Sequence, residues 1–252
     1  MVFSPEFIQS VQARSAAEIL RSYVEDFRSD PAAAEPVTFG IKVNGEGGGE
    51  WQVEVSGEKE GSGGFRVELR DGLPSSPAAV FVLDLPALRK MESGEINALT
   101  AMGRARSSDP APMDIEFTSG FQPDAGFIAR FLPFTFHFWT RGTPETVSFG
   151  KRQSREVHGA SMVVFYYQEG LRSAWGLIEK GQHVNKDPND QTNPFPTIFI
   201  GIRGRAAAKI GGREVTLQAG QMAFIPAGVS HEVWNPYDEP AEVIILMFGE
   251  GA

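Results

Sequence analysis

The chain has 252 residues and no cysteine, which excludes a disulfide framework, a thiolate nucleophile and Cys-ligated zinc. Any metal would have to be held by imidazoles and carboxylates, and there are only four histidines. Cations are in deficit: 23 Lys and Arg face 32 Asp and Glu, a formal charge of −9. A phosphate backbone is bound through a clustered cationic face, so no nucleic-acid partner is expected. No stretch approaches the ~18 uninterrupted apolar residues of a membrane span. The opening MVFSPEFIQSVQARSAAEIL also lacks a cationic start followed by an apolar block. The expectation is a cytoplasmic protein without an integral membrane segment. Neither a repeat nor a heptad seam occurs, which sets aside solenoids and coiled coils.

What is present suits a folded chain of two domains: 41% hydrophobic and 11% aromatic residues can fill sizeable cores. Residues 5–28 read as helix with a break near Ser15. Ser4-Pro5 is a cap-plus-N1 start, Ser15-Ala-Ala-Glu18 a capping box, and Ile19, Leu20, Tyr23, Val24 and Phe27 share a face. After Asp30-Pro31 the period changes. Phe39, Ile41 and Val43, then Trp51, Val53 and Val55, then Phe65, Val67 and Leu69 alternate between Gly-rich turns, predicting an antiparallel meander. Residues 81–84 and 113–117 read as strands, and 85–91 and 95–103 as short helices.

Phe127 to Trp139 is the most aromatic stretch, with helical spacing until Pro133 interrupts it. It is either core filler or a lid over an apolar tunnel, with Phe131 as the candidate ligand contact. From about Thr146 onward the chain is short strands and tight turns, with Gly211-Gly212 as a hairpin. The organisation expected is residues 1–120 as an α+β domain of helices on an antiparallel sheet, 121–144 as linker or lid, and 145–252 as an all-β barrel.

The order of helical lead, Gly47-Gly-Gly-Glu-Trp51 turn and LPALRKMESGEINALTAMGRARSS makes residues 37–117 similar to the sterol carrier protein type 2 domain. That resemblance implies an apolar tunnel for lipid, acyl or sterol-like ligands. Glu95 and Arg104 follow glycines where the family commonly has Gly-Lys.

Gly220, Pro226, Gly228, His231 and Asn235 fit the cupin second signature, GxxxxxPxGxxHxxxN, so the C-terminal part resembles a cupin jelly roll. In metal-binding members two histidines and a glutamate of an earlier signature join that His. Taking Gly204 as the earlier signature's closing glycine puts Thr197 at the glutamate and Gln191 to Asn193 at the histidine pair. No cofactor is therefore expected. The alternative is a divalent metal on His231, His183 and Asp187, should the 183–197 loop fold back. The resemblance points His231 into the barrel as a ligand contact or a satisfied core residue. Gln191, Asn193, Thr197, Phe199, Trp175 and Trp234 are the other candidate ligand contacts, and Phe195 and Phe224 further aromatic lining. A homodimer is also implied.

The reading that follows is a non-enzymatic protein with a hydrophobic-ligand tunnel and a metal-poor cupin module for dimerisation or small-ligand sensing. The alternative is a metal-dependent dioxygenase or isomerase acting on a hydrophobic substrate.

Overall fold

A computed structural model describes residues 14–61, 63–75, 78–104, 109–140 and 146–252. The Ser4-Pro5 helix start lies outside them. Helix α1 (Ala16–Phe27) opens on the capping box: Ser15 Oγ accepts from Glu18 N, and the Glu18 carboxylate accepts from Ser15 N at 2.8 Å. Its apolar face, from Ile19 to Phe27, is buried as the spacing predicts.

That face covers a five-stranded sheet in the order β3-β2-β1-β4-β5, made of β1 (Val37–Asn44), β2 (Gly49–Lys59), β3 (Phe65–Asp71), β4 (Ala79–Asp84) and β5 (Met113–Phe117). The wholly antiparallel expectation is corrected, because β4 pairs parallel to β1 from Gly40↔Val80 to Asn44↔Asp84. After β3 the chain crosses to the far side of β1. The almost uninterrupted apolar AVFVL of β4 suits a strand buried on both faces. Asp84 then caps α2 (Leu85–Glu92), and Asn97 caps α3 (Ala98–Met102).

Helix α4 (Ala125–Thr140) runs on through Pro133, where the sequence predicts an interruption. Phe131, Phe134, Phe138 and Trp139 are buried on one helical face, and their packing outweighs the roughly 3 kcal/mol that an internal proline costs a helix. Phe134 meets Phe27 at 5.0 Å, Phe138 meets Phe39 at 5.1 Å and Trp139 meets Phe81 at 5.4 Å between ring centroids. The segment is thus core filler, and neither linker nor lid. Phe131, expected as a ligand contact, is 3% exposed and stacked on Phe81 at 5.7 Å.

The remaining strands are β6 (Arg155–Val157), β7 (Ala160–Gln168), β8 (Leu171–Ile178), β9 (His183–Val184), β10 (Thr197–Arg203), β11 (Arg205–Ile210), β12 (Arg213–Gln218), β13 (Met222–Ile225), β14 (His231–Trp234) and β15 (Ala241–Phe248). A six-stranded sheet, β13-β10-β15-β8-β7-β6, faces a four-stranded one, β12-β11-β14-β9. Gly204 needs to be glycine: its φ is +62°, and a Cβ there would lie 2.2 Å from the Pro240 carbonyl oxygen.

Strand β6 pairs with β7 only as far as Met162. Beyond it, α3 supplies the missing partners. Asn97 Nδ2 donates to Val164 O at 2.8 Å, and Val164 N donates to Thr100 Oγ1 at 2.9 Å, so the open strand edge is satisfied by the N-terminal part. Among the described residues no helix is long and apolar enough to cross a membrane.

Candidate functional site

Side chains alternate across each barrel strand, so residues two apart share the interior. On β8 the inner face is Arg172, Ala174 and Gly176, and on β11 it is Ala206 and Ala208. Ala223 joins them from β13. These small side chains leave a cavity of about 700 Å³. Met162, Ile245 and Met247 add flexible apolar walls, and Leu99, Met102 and Ile115 extend the lining into the N-terminal part.

The same alternation places Trp175 on the opposite face of β8. It packs with Val163 and Leu177, and its Nε1 donates to Glu242 Oε2 at 3.1 Å. Trp234 also faces out, against His183 at 5.5 Å, and Phe224 is 51% exposed on edge strand β13. The aromatic interior expected from these residues is therefore corrected: of the five, Phe195 and Phe199 line the cavity, and alanine, glycine and aliphatic side chains supply much of the remaining wall.

Four candidates do converge on the cavity: His231, Thr197, Asn193 and Phe199. Asn193 Nδ2 donates to Thr197 Oγ1 at 3.2 Å, and the Phe199 ring lies edge-on to the His231 ring at 5.8 Å. Gln191 contributes its backbone, whose carbonyl accepts from His231 N at 2.7 Å. Its side chain is not part of the cavity wall.

His231 is 2% exposed. Burial holds its pKa below the usual imidazole value, and the Val229 carbonyl, 3.3 Å from Nδ1, offsets this only in part. The neutral ring is therefore favoured. The carbonyl assigns the proton to Nδ1, which leaves Nε2 as an acceptor with no partner among the described residues. Because the folded pKa lies below the unfolded one, the unfolded chain binds the proton first as pH falls. Stability should decline with acidification below about pH 6.5. His231→Gln should flatten this part of a denaturation-versus-pH profile, and an identical profile in the variant would contradict the assignment.

A metal fits this donor set poorly. His183 pairs across from Trp234 in the β9–β14 register, three residues from His231, so the two imidazoles lie on opposite faces of the sheet. His183 Nε2 is instead 2.9 Å from Glu232 on the outside. Asp187 caps a 3₁₀ turn by accepting from Asn189 N at 3.0 Å. Among the described residues no three His, Asp or Glu side chains converge, whereas a divalent transition ion needs about three protein ligands. The ion site on His231, His183 and Asp187 is thus corrected.

Two features of the lining are missing from the sequence reading. His158 lines the cavity with Nε2 3.8 Å from Asp190 Oδ2. Arg172 lines its other margin with Tyr167 and Phe195. The small residues two and four positions after Arg172 are the signal that marks its inward face.

One family model agrees with the barrel. The family model described as "Cupin domain" matches residues 177–247, so the C-terminal part carries a cupin domain. A cupin 2 conserved barrel domain protein from Salinispora arenicola is 18% identical, with a TM-score of 0.38 over 43% of this chain and 91% of its own. The plu4264 protein from Photorhabdus luminescens is 15% identical, with a TM-score of 0.38 over 42% of this chain and 89% of its own. A predicted oxalate decarboxylase from Thermotoga maritima is 17% identical, with a TM-score of 0.32 over 35% of this chain and 79% of its own. No curated protein matches.

Proposed function

We propose that this chain is a binding protein whose barrel holds a small, largely apolar ligand. The observation that carries the reading is a cavity of about 700 Å³ walled by small and aliphatic side chains, beside an imidazole with an open acceptor nitrogen. An apolar guest gains roughly 25 cal/mol for each Å² it removes from water, before ordering costs. A few placed polar groups then fix its orientation. No catalytic residue is needed. A metal-dependent dioxygenase or isomerase would require a donor set richer than His231 and its Thr and Asn neighbours.

Likening residues 37–117 to the sterol carrier domain rests on the order of residues in the sequence. A lipid, acyl or sterol-like tunnel there finds little support, because the α4 rings occupy the space between α1 and the sheet. We place the hydrophobic site in the cupin domain instead, with the N-terminal part, α4 included, as the support on which one cavity wall is built. A homodimer through edge strand β13, where Met222 is 58% and Phe224 51% exposed, is the partner reading, and light scattering at the monomer mass would remove it.

Native mass spectrometry of the full chain, purified without detergent, tests the main proposal. A discrete small-molecule adduct released on denaturation is the expected result. A bare chain that also ignores every apolar probe offered would overturn it.

A further inference from the structure

We infer that the barrel's ligand carries a carboxylate and that Arg172 is the residue that holds it. This rests on the cavity reading and adds the chemical class of the guest. Arg172 shares the inner face of β8 with Ala174 and Gly176, and its cross-strand neighbour Met247 also lines the cavity. Its guanidinium lies 4.8 Å from the Tyr167 ring centroid and 5.2 Å from that of Phe195. Two aromatic rings thus flank the cation at cation–π distance.

The donors of this cation are largely unspent. Nη2 donates to Gly251 O at 3.3 Å, Nε is buried without an acceptor, and no carboxylate pairs with it among the described residues. In a chain of net charge −9 this leaves the Arg172 charge without a carboxylate partner among the described residues. Arg104, the other arginine on the cavity, is clamped by both carboxylate oxygens of Asp114 at 3.1 and 2.8 Å. A guanidinium edge with parallel N–H donors matches the two oxygens of a carboxylate. The imidazole of His231 does not compete for the anion, since its open Nε2 is an acceptor and faces a carboxylate unfavourably. It suits a hydroxyl or N–H elsewhere on the same guest. The ligand class is an apolar monocarboxylate, its body among the alanines and aliphatic side chains and its anion at the Arg172 margin.

Fluorescence titration of the full chain with 2-naphthoate and the uncharged 2-naphthalenemethanol tests this, using wild type, Arg172→Gln and Arg172→Lys. Wild type should bind the carboxylate at least about tenfold more tightly than the alcohol, the scale of one charge-assisted pair. Arg172→Gln should erase that preference while changing alcohol binding by less than about twofold, and Arg172→Lys should restore part of it. Equal affinity of wild type for both probes, or an equal loss of both in Arg172→Gln with no recovery in Arg172→Lys, overturns the anchor and leaves the cavity reading standing. Binding of neither probe by wild type removes the cavity reading and the anchor with it.

Discussion

Phe138→Ala should lower the unfolding free energy by about 3–5 kcal/mol, the range for truncating a buried aromatic side chain. Phe138 is 0% exposed, and its ring lies 5.6 Å from Phe27, 5.1 Å from Phe39 and 5.0 Å from Trp139, edge-on in each case. Such pairs contribute about 0.5–1.5 kcal/mol beyond the area they bury, so the upper part of the range is expected. Urea denaturation at unchanged slope would measure it. A loss below about 1 kcal/mol, with altered ligand binding instead, would mean that α4 is a cover over an open space.

Ala208→Phe should abolish ligand binding with little change in stability. Ala208 sits across from Val215 on one side and Val233 on the other, with its methyl group on the cavity. A larger side chain there grows into empty volume, so the usual overpacking cost of about 1–3 kcal/mol should be largely avoided. The guest loses the space its body needs. A fall of at least about a hundredfold in affinity, close to 2.7 kcal/mol, is expected. The adduct expected in native mass spectrometry of the wild type should be missing from this variant, and its retention at wild-type stoichiometry would place the ligand elsewhere.

Much of the fold was legible because local chemistry specifies it. The capping box fixes the start of α1, and Gly211-Gly212 turns β11 into β12. Asn235 of the signature proves to be a bracket: Nδ2 donates to Ile178 O and Glu239 O at 2.9 and 2.8 Å, and Oδ1 accepts from Tyr237 N at 2.9 Å. What failed was whatever depends on distant partners. Alternation in VTFGIKVN and the apolar run of AVFVLD mark strands but carry no direction, so the parallel β1–β4 pairing was not visible. Pro133 is a local penalty that ring packing against Phe27, Phe39 and Phe81 outweighs.

The site was legible in composition and obscure in geometry. The signature located His231, and counting from Gly204 located Thr197 and Asn193. Parity was the overlooked signal. In LRSAWGLI the tryptophan drew attention as lining, yet its neighbours Ala174 and Gly176 are the inward residues, and Arg172 follows from the same two-residue step. Small side chains at inward positions such as Ala174, Gly176, Ala206 and Ala208 help leave the barrel open.

Xenon pressurisation of crystals of the full chain tests the central claim most directly, since xenon occupies apolar cavities without needing a matched ligand. The account predicts ordered xenon inside the barrel, against Ala174, Ala208 and Met247. A barrel without xenon, with the gas found between α4 and the N-terminal sheet, would contradict it.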